Sequence, residues 1–424
     1  MSKRSISGFW ICFGLAVILN GLGTACSQAQ ESVPATSRAS TTEDRFAVSP
    51  QARAIHDRGY VFDGHNDLPW EIRTKTKRGF DELDIALPQP TLHTDISRLR
   101  LGNVGAQFWS VYTPVETIAA GNAFQTTCEQ IFIVKKMIER YPDVFEFALD
   151  ADDIDRIRSK GKIASLIGME GGHSIENSIG KLRHLHGLGA RYMTLTHTDT
   201  LDWADSATDA AKSDGLSDFG VDVVHEMNRL GMLVDISHVS PATMHDVLDV
   251  SRAPILFSHS SSKTIADHPR NVPDDVLARI PQNGGVVLIN FFSGFVVPES
   301  AVVLKQMADL RRSLKTKYPG SKEDQDRELK QWQVAHPYPA GDAEIIVDHI
   351  EQVIRVAGID HVGLGSDYDG IAKCPAGLED VSKFPVITEL LLRRGYNEEA
   401  IHKILYGNAL RVLRAATAVA QSNE

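Results

Sequence analysis

The chain has 424 residues, 42% of them hydrophobic, which is enough for a large core and long enough for two domains or for one barrel with insertions. A formal net charge of −11 with no basic cluster argues against a nucleic-acid surface. Aromatic and charged fractions of 7% and 23% are ordinary for a globular protein, so electrostatics names no partner.

At the N-terminus, Lys3 and Arg4 precede an apolar stretch from Phe9 to Leu22 and the small-residue segment GTACSQAQ. This is the pattern of a secretory signal over residues 1–29, too short for a stable spanning helix. Two cleavage sites compete. Cleavage before Cys26 leaves a lipid-anchored cysteine, although Leu22 stands one residue further upstream than a lipoprotein box places its leucine. Cleavage after Ala29 leaves a soluble periplasmic protein. Either way the expected location is the cell envelope, with membrane attachment only through a lipid on Cys26. Residues 30–50, including ESVPATSRASTTED, read as a polar linker, and residues 51–424 as a single domain. The chain ends without a hydrophobic tail, so a C-terminal glycolipid anchor is not expected.

Eight short apolar runs follow in order: VFDGHND from Val61, VGAQFWSVY from Val104, IASLIGMEGG from Ile163, RYMTLTHT from Arg191, MLVDISHVS from Met232, PILFSHSS from Pro254, GVVLINFF from Gly285 and HVGLGSDYDG from His361. Runs rich in Val, Ile and Leu that end in polar or glycine-containing turns read as strands buried on both faces of a parallel sheet. Helix-like segments such as GVDVVHEMNRLG and DDVLARIPQNGG separate them. The alternation predicts an α/β fold, a TIM-type (β/α)8 barrel whose chemistry sits at the C-terminal ends of the strands. One long departure, Pro298 to Gly341, reads as a charged, solvated helical insertion between the seventh and eighth strands. Cys128 and Cys374 are far apart in sequence and lie in no ligand-like motif, so neither a pairing nor a site is expected of them.

The strand ends carry the chemistry. His65 and Asp67 form an H-x-D pair that offers an imidazole and a carboxylate to one cation, although DGHNDLP alone could equally be a turn held by Asx hydrogen bonds. Glu170 in MEGGHS follows an apolar strand directly, where a carboxylate is costly unless paired or metal-bound. His238 and His259 each end a run that is otherwise apolar. Three histidines, an Asp and a Glu are too many donors for one tetrahedral zinc but suit two zinc ions sharing a carboxylate. The assignment is His65 and Asp67 to one ion, His238 and His259 to the other, and Glu170 to the bridge. Two such cations can hold a hydroxide at neutral pH and polarise a carbonyl, the equipment of hydrolysis. Asp367, at the end of the eighth run, can serve as the acid/base, and His197, at the end of the fourth, can donate to the developing oxyanion.

Taken in order, VFDGHNDLPW, IGMEGGHSI, LTHTDTLDWADS, LVDISHVS, FSHSS, RNVPDD and GLGSDYDG resemble the membrane (renal-type) dipeptidase family, zinc peptidases with an amidohydrolase-like barrel, over about Tyr60 to Leu413. By position the resemblance implies that His65, Asp67, Glu170, His238 and His259 bind two zinc ions, that Asp367 is the catalytic acid/base and that His197 contacts the substrate carbonyl. It further implies that Arg270, in HPRNVPDD, binds the terminal carboxylate of the substrate, a task suited to a guanidinium. Hydrolysis of dipeptides, often with tolerance of a D-residue at the C-terminal position, and a homodimer are implied with it.

The chain departs from the family pattern in two places. Phe292 closes INFF where a tyrosine is expected, and the charged insertion is longer than in the animal enzymes. A lactonase-like or phosphotriesterase-like barrel would also use two metals, but that group bridges them with a modified lysine where this chain has Glu170. A non-catalytic envelope lipoprotein on a decayed barrel would have lost ligands, and all five are present. Manganese or cobalt could replace zinc in such a donor set.

Overall fold

The computed structural model describes residues 45–422; the expected signal segment and most of the expected linker lie outside them. The strands are β1 (Val61–Asn66), β2 (Val104–Tyr112), β3 (Phe145–Phe147), β4 (Ile163–Glu170), β5 (Ala190–Thr194), β6 (Leu233–Asp235), β7 (Leu256–Ser260), β8 (Val286–Ile289) and β9 (Val362–Leu364). All but β3 coincide with the eight apolar runs. They pair in parallel around a closed ring, β1-β2-β4-β5-β6-β7-β8-β9 and back to β1, with helices between successive strands on the outside. The molecule is a TIM-type barrel, as the alternation predicted.

Burial on both faces explains the composition of the strands. In β2 every residue from Val104 to Val111 is buried, and in β4 all eight are. One set of side chains, among them Phe62, Phe108, Leu166, Tyr192, Leu233, Leu256 and Leu288, forms its own cluster filling the barrel. A larger cluster, including Val61, Trp109, Ile167, Met193 and Val287, packs the strands against the outer helices. Alternate residues along one strand therefore serve two cores, which leaves no polar face to give a period-two signal.

β3 is the strand that sequence reading missed. Its three residues pair with the start of β4, Phe145 opposite Ile163 to Phe147 opposite Ser165, while β5 takes the same edge further along, from Ile167 to Glu170. A three-residue element between the helices Ala123–Arg140 and Ala151–Arg158 is too short to display any periodicity.

The charged insertion lies between β8 and β9 and folds as two helices, Pro298–Lys317 and Lys322–Ala335. The second buries none of its residues, and ion pairs such as Lys317 to Glu328 lie on its solvated surface. At the other end, the chain already packs on the barrel at Phe46, ahead of the expected domain start at residue 51. The Phe46 ring is buried against Gly377, and Ser49 both caps the helix Pro50–Arg58 and donates its backbone N–H to Glu389 at 2.8 Å. Cys128 and Cys374 are free thiols. Among the described residues no helix is long and apolar enough to cross a membrane.

Candidate metal centre

The C-terminal rim of the barrel gathers the polar residues that the strands deliver. Glu170 is the last residue of β4, and His259 lies in β7. His65 lies in β1, where a register irregularity between Asp63 and Asn66 interrupts the regular pairing with β2. Asp67 follows as the residue preceding the helix Leu68–Lys75. His197, His238 and Asp367 stand in the turns just past β5, β6 and β9. His238 and Asp367 hold φ of 66° and 65°, left-handed conformations that a non-glycine residue adopts at a cost of roughly 1 to 3 kcal/mol and that cluster at functional sites.

These residues meet around one carboxylate. Glu170 Oε1 lies 3.0 Å from His238 Nε2, 3.5 Å from His259 Nε2 and 3.6 Å from His197 Nε2, and Oε2 lies 3.6 Å from His65 Nε2. His65 Nε2 faces Asp67 Oδ2 at 3.2 Å, yet it is buried without a well-formed hydrogen bond. Three overlapping groups have ligand atoms within 4.8 Å of one another: His65, Glu170 and His259; Glu170, His197 and His238; and His65, Asp67 and Asp367. All five residues expected to bind metal are thus brought together. His197 and Asp367, expected to act on substrate and proton, also stand within ligand reach.

This donor set suits cations. His238 Nε2 and His259 Nε2 are 2.8 Å apart and point at the same carboxylate oxygen, so at most one proton can sit between them. A side chain at Gly370 would place its Cβ 2.2 Å from Asp67 Oδ2 and 2.7 Å from Asp367 Oδ1, so that glycine keeps the space between the two carboxylates open. Imidazole and carboxylate donors of this kind fit zinc and neighbouring divalent metals.

Outer contacts aim the imidazoles. His65 Nδ1 is 2.7 Å from the Tyr192 hydroxyl, which rises through the barrel core over Gly168, where a Cβ would lie 2.0 Å from the ring. His259 Nδ1 is 2.8 Å from Ser258 Oγ. Asp63 accepts from the backbone N–H and the hydroxyl of Ser366, both at 2.7 Å, and so ties β1 to the turn that carries Asp367. Asn290 donates to Asp367 Oδ2 at 2.8 Å. Sequence reading missed these residues. Asp63 carried a signal, being a carboxylate inside an apolar run; Tyr192 carried none, since an aromatic residue in a strand reads as core.

Arg270 lies in the loop after β7, 3% exposed, donating to Ser260 Oγ at 3.3 Å and to the His259 carbonyl at 3.1 Å. Its Nε is buried without a partner, and among the described residues no carboxylate forms an ion pair with it. Burial pushes the guanidinium down to about 10, so it stays charged at neutral pH. A buried cation with an unused donor can accept an anion as a partner.

The site's charges depend on one another. Burial alone would lower the His65 imidazole, but Tyr192, Asp67 and Glu170 around it hold it well above its usual value. Burial alone would raise Glu170, yet the neighbouring imidazoles of His65 and His197 keep it well below the carboxylate range. For His238 and His259 burial dominates, joined by Arg270 for one and His65 for the other, and both stay neutral. Burial, with Asp67 and Glu170 beside it, raises Asp367 well above the carboxylate range. In the metal-free protein His65 therefore carries a proton that an incoming cation must displace. That proton is held below the raised His65 value and lost above it, so metal affinity should rise with pH across this range, by about tenfold per unit for one displaced proton. Competition titrations at several pH values should show this slope; an affinity independent of pH would contradict it.

Residues 49–424 match the family described as membrane dipeptidase (peptidase family M19). Among solved structures, the chain is similar to the probable dipeptidase PvdM from Pseudomonas aeruginosa, at 24% identity and a TM-score of 0.76, covering 87% of this chain and 98% of that one. It is also similar to a metallo peptidase from Rhodobacter sphaeroides liganded with a phosphinate mimic of the dipeptide L-Ala-D-Ala, at 22% identity and a TM-score of 0.69, covering 84% and 99%. The structural likenesses establish a common barrel, and the family match spans that barrel together with every residue of the rim cluster. The chain belongs to the membrane dipeptidase family, peptidase family M19.

Proposed function

We propose that this chain is a binuclear zinc dipeptidase that hydrolyses dipeptides and accepts a D-residue at the C-terminal position. The observation that carries the reading is Glu170, one buried carboxylate whose two oxygens face different imidazoles, Oε2 toward His65 and Oε1 toward His238 and His259. That arrangement supports His65 and Asp67 as ligands of one ion, His238 and His259 of the other, and Glu170 as the bridge. Two zinc ions so held would supply a nucleophile at neutral pH and polarise the scissile carbonyl.

The chain's own groups divide the remaining work. Arg270 would pair with the free C-terminal carboxylate of the substrate, which sets the peptide bond a fixed distance from the guanidinium. His197, held neutral chiefly by burial, would donate an N–H to the carbonyl oxygen as negative charge develops there. Asp367, steadied by Asn290, would take the proton from the attacking water and pass it to the leaving amine. Tolerance of a D-residue is supported by the relative that holds a mimic of L-Ala-D-Ala. The signal pattern of the first residues supports export to the cell envelope, and the resemblance to the dipeptidases supports a homodimer.

Asp367→Asn should lower turnover by roughly a hundredfold or more while leaving zinc content nearly unchanged. Loss of metal in that variant, by elemental analysis, would make Asp367 a ligand instead. Arg270→Met should lower kcat/KM on dipeptides by about ten- to two-hundredfold, the scale of one charge-assisted hydrogen bond. Dipeptide amides should be poor substrates of the native enzyme, and Arg270→Met should treat acid and amide almost alike. A native enzyme equally active on both, assayed beside a lactone and a phosphotriester, would refute the dipeptidase reading.

A further inference from the structure

Asp235 ends β6 and is fully buried. It is no member of the rim cluster. Its carboxylate nevertheless accepts from every donor around it: Oδ1 from the backbone N–H of Ser258 at 2.8 Å and of Ser237 at 3.1 Å, and Oδ2 from the Ser258 hydroxyl at 2.6 Å and from the Thr194 hydroxyl. On its other side the Ser258 oxygen lies 2.8 Å from His259 Nδ1.

Proton counting along this line leaves one arrangement. Ser258 Oγ donates to Asp235 Oδ2 at 2.6 Å, so its single hydroxyl proton is used there. The lone pairs of Ser258 Oγ then face His259, and the short contact is a hydrogen bond only if Nδ1 carries the imidazole proton. A neutral imidazole has one such proton. Nε2 is therefore bare, and it is Nε2 that lies 2.8 Å from His238 Nε2 and 3.5 Å from Glu170.

We propose that Asp235 is a positioning residue which, acting through the Ser258 hydroxyl, fixes His259 in the tautomer whose Nε2 lone pair points into the site. The value of this for the protein rests on the two-zinc reading above, because only a bare nitrogen can bind a cation, and a proton on Nε2 would have to move before metal entered. Asp235 also sits where β6 meets β7, opposite Leu256, so a purely structural role is the competing account.

Asp235→Asn separates the two. The amide keeps the shape and can still accept from the backbone, but its NH2 now donates to Ser258 Oγ, which frees the hydroxyl proton for His259 Nδ1 and drives the imidazole proton to Nε2. Ser258→Ala removes the relay and leaves Asp235 in place. The direct readout is the 15N-histidine NMR spectrum of the metal-free full chain, with His259→Gln identifying the signal. The native protein should show His259 protonated on Nδ1, and Asp235→Asn should show it protonated on Nε2. Zinc competition should then find one of the two ions bound about ten- to a hundredfold more weakly in both variants, with the other ion little changed. An unchanged His259 tautomer in Asp235→Asn, or native affinity for both ions in the two variants, would overturn the proposal even if thermal stability fell. Should Asp235→Asn fail to fold, Ser258→Ala decides by the same zinc measurement. A native protein that takes up no zinc would sink the metal reading, while the tautomer measurement on metal-free protein would still stand or fall by itself.

Discussion

The structure turns on a single buried carboxylate. Glu170 stands at the end of a strand whose eight residues are all buried, where an unpaired negative charge would cost several kcal/mol. It is tolerated because four imidazoles converge on its two oxygens, and they converge because β1, β6 and β7, with the turn after β5, deliver them to the same rim. Remove that carboxylate and the histidines face one another with nothing between them, His238 and His259 already at 2.8 Å.

The barrel supports this arrangement by tying three of its members to neighbours deeper in the fold. His65 leans on Tyr192, whose ring occupies the space that Gly168 leaves open; His259 leans on Ser258; and the turn with Asp367 is pinned through Ser366 to Asp63 on β1. Of these partners the tyrosine and the serine contact imidazoles directly, and the buried aspartate holds the turn that carries Asp367. Arg270 stands apart from that system. Its guanidinium donates to Ser260 Oγ and to the His259 carbonyl and lies over the Phe295 ring, with no carboxylate paired to it among the described residues.

Much of this could be read in the sequence, for a physical reason. A parallel strand buried on both faces has to be apolar throughout, so a His, Asp or Glu at its end stands out against the run that precedes it. Glu170 after IASLIGM and His259 after PILFS are visible in that way. The eight barrel strands were legible for the same reason, and β3 was not, because three residues of edge pairing leave no pattern. The resemblance to the dipeptidases added Arg270, which no spacing argument reaches, since it sits in a loop and is recognised only by its surroundings. What stayed hidden were the supports. Tyr192 looks like core until its hydroxyl is seen 2.7 Å from His65, and Ser258 looks like a strand-end turn residue until it is seen between Asp235 and His259. Those roles depend on contacts between strands far apart in sequence. The packing of Phe46 and Ser49 against the barrel was hidden in a segment whose composition is that of a linker.

The most direct test is diffraction from crystals of the zinc-replete protein at the zinc absorption edge. The account predicts two anomalous peaks about 3.5 to 4 Å apart, the usual separation in two-metal sites, with Glu170 giving one oxygen to each, His65 and Asp67 on one side and His238 and His259 on the other. A single peak, or two peaks with Glu170 bound to only one of them, would contradict it.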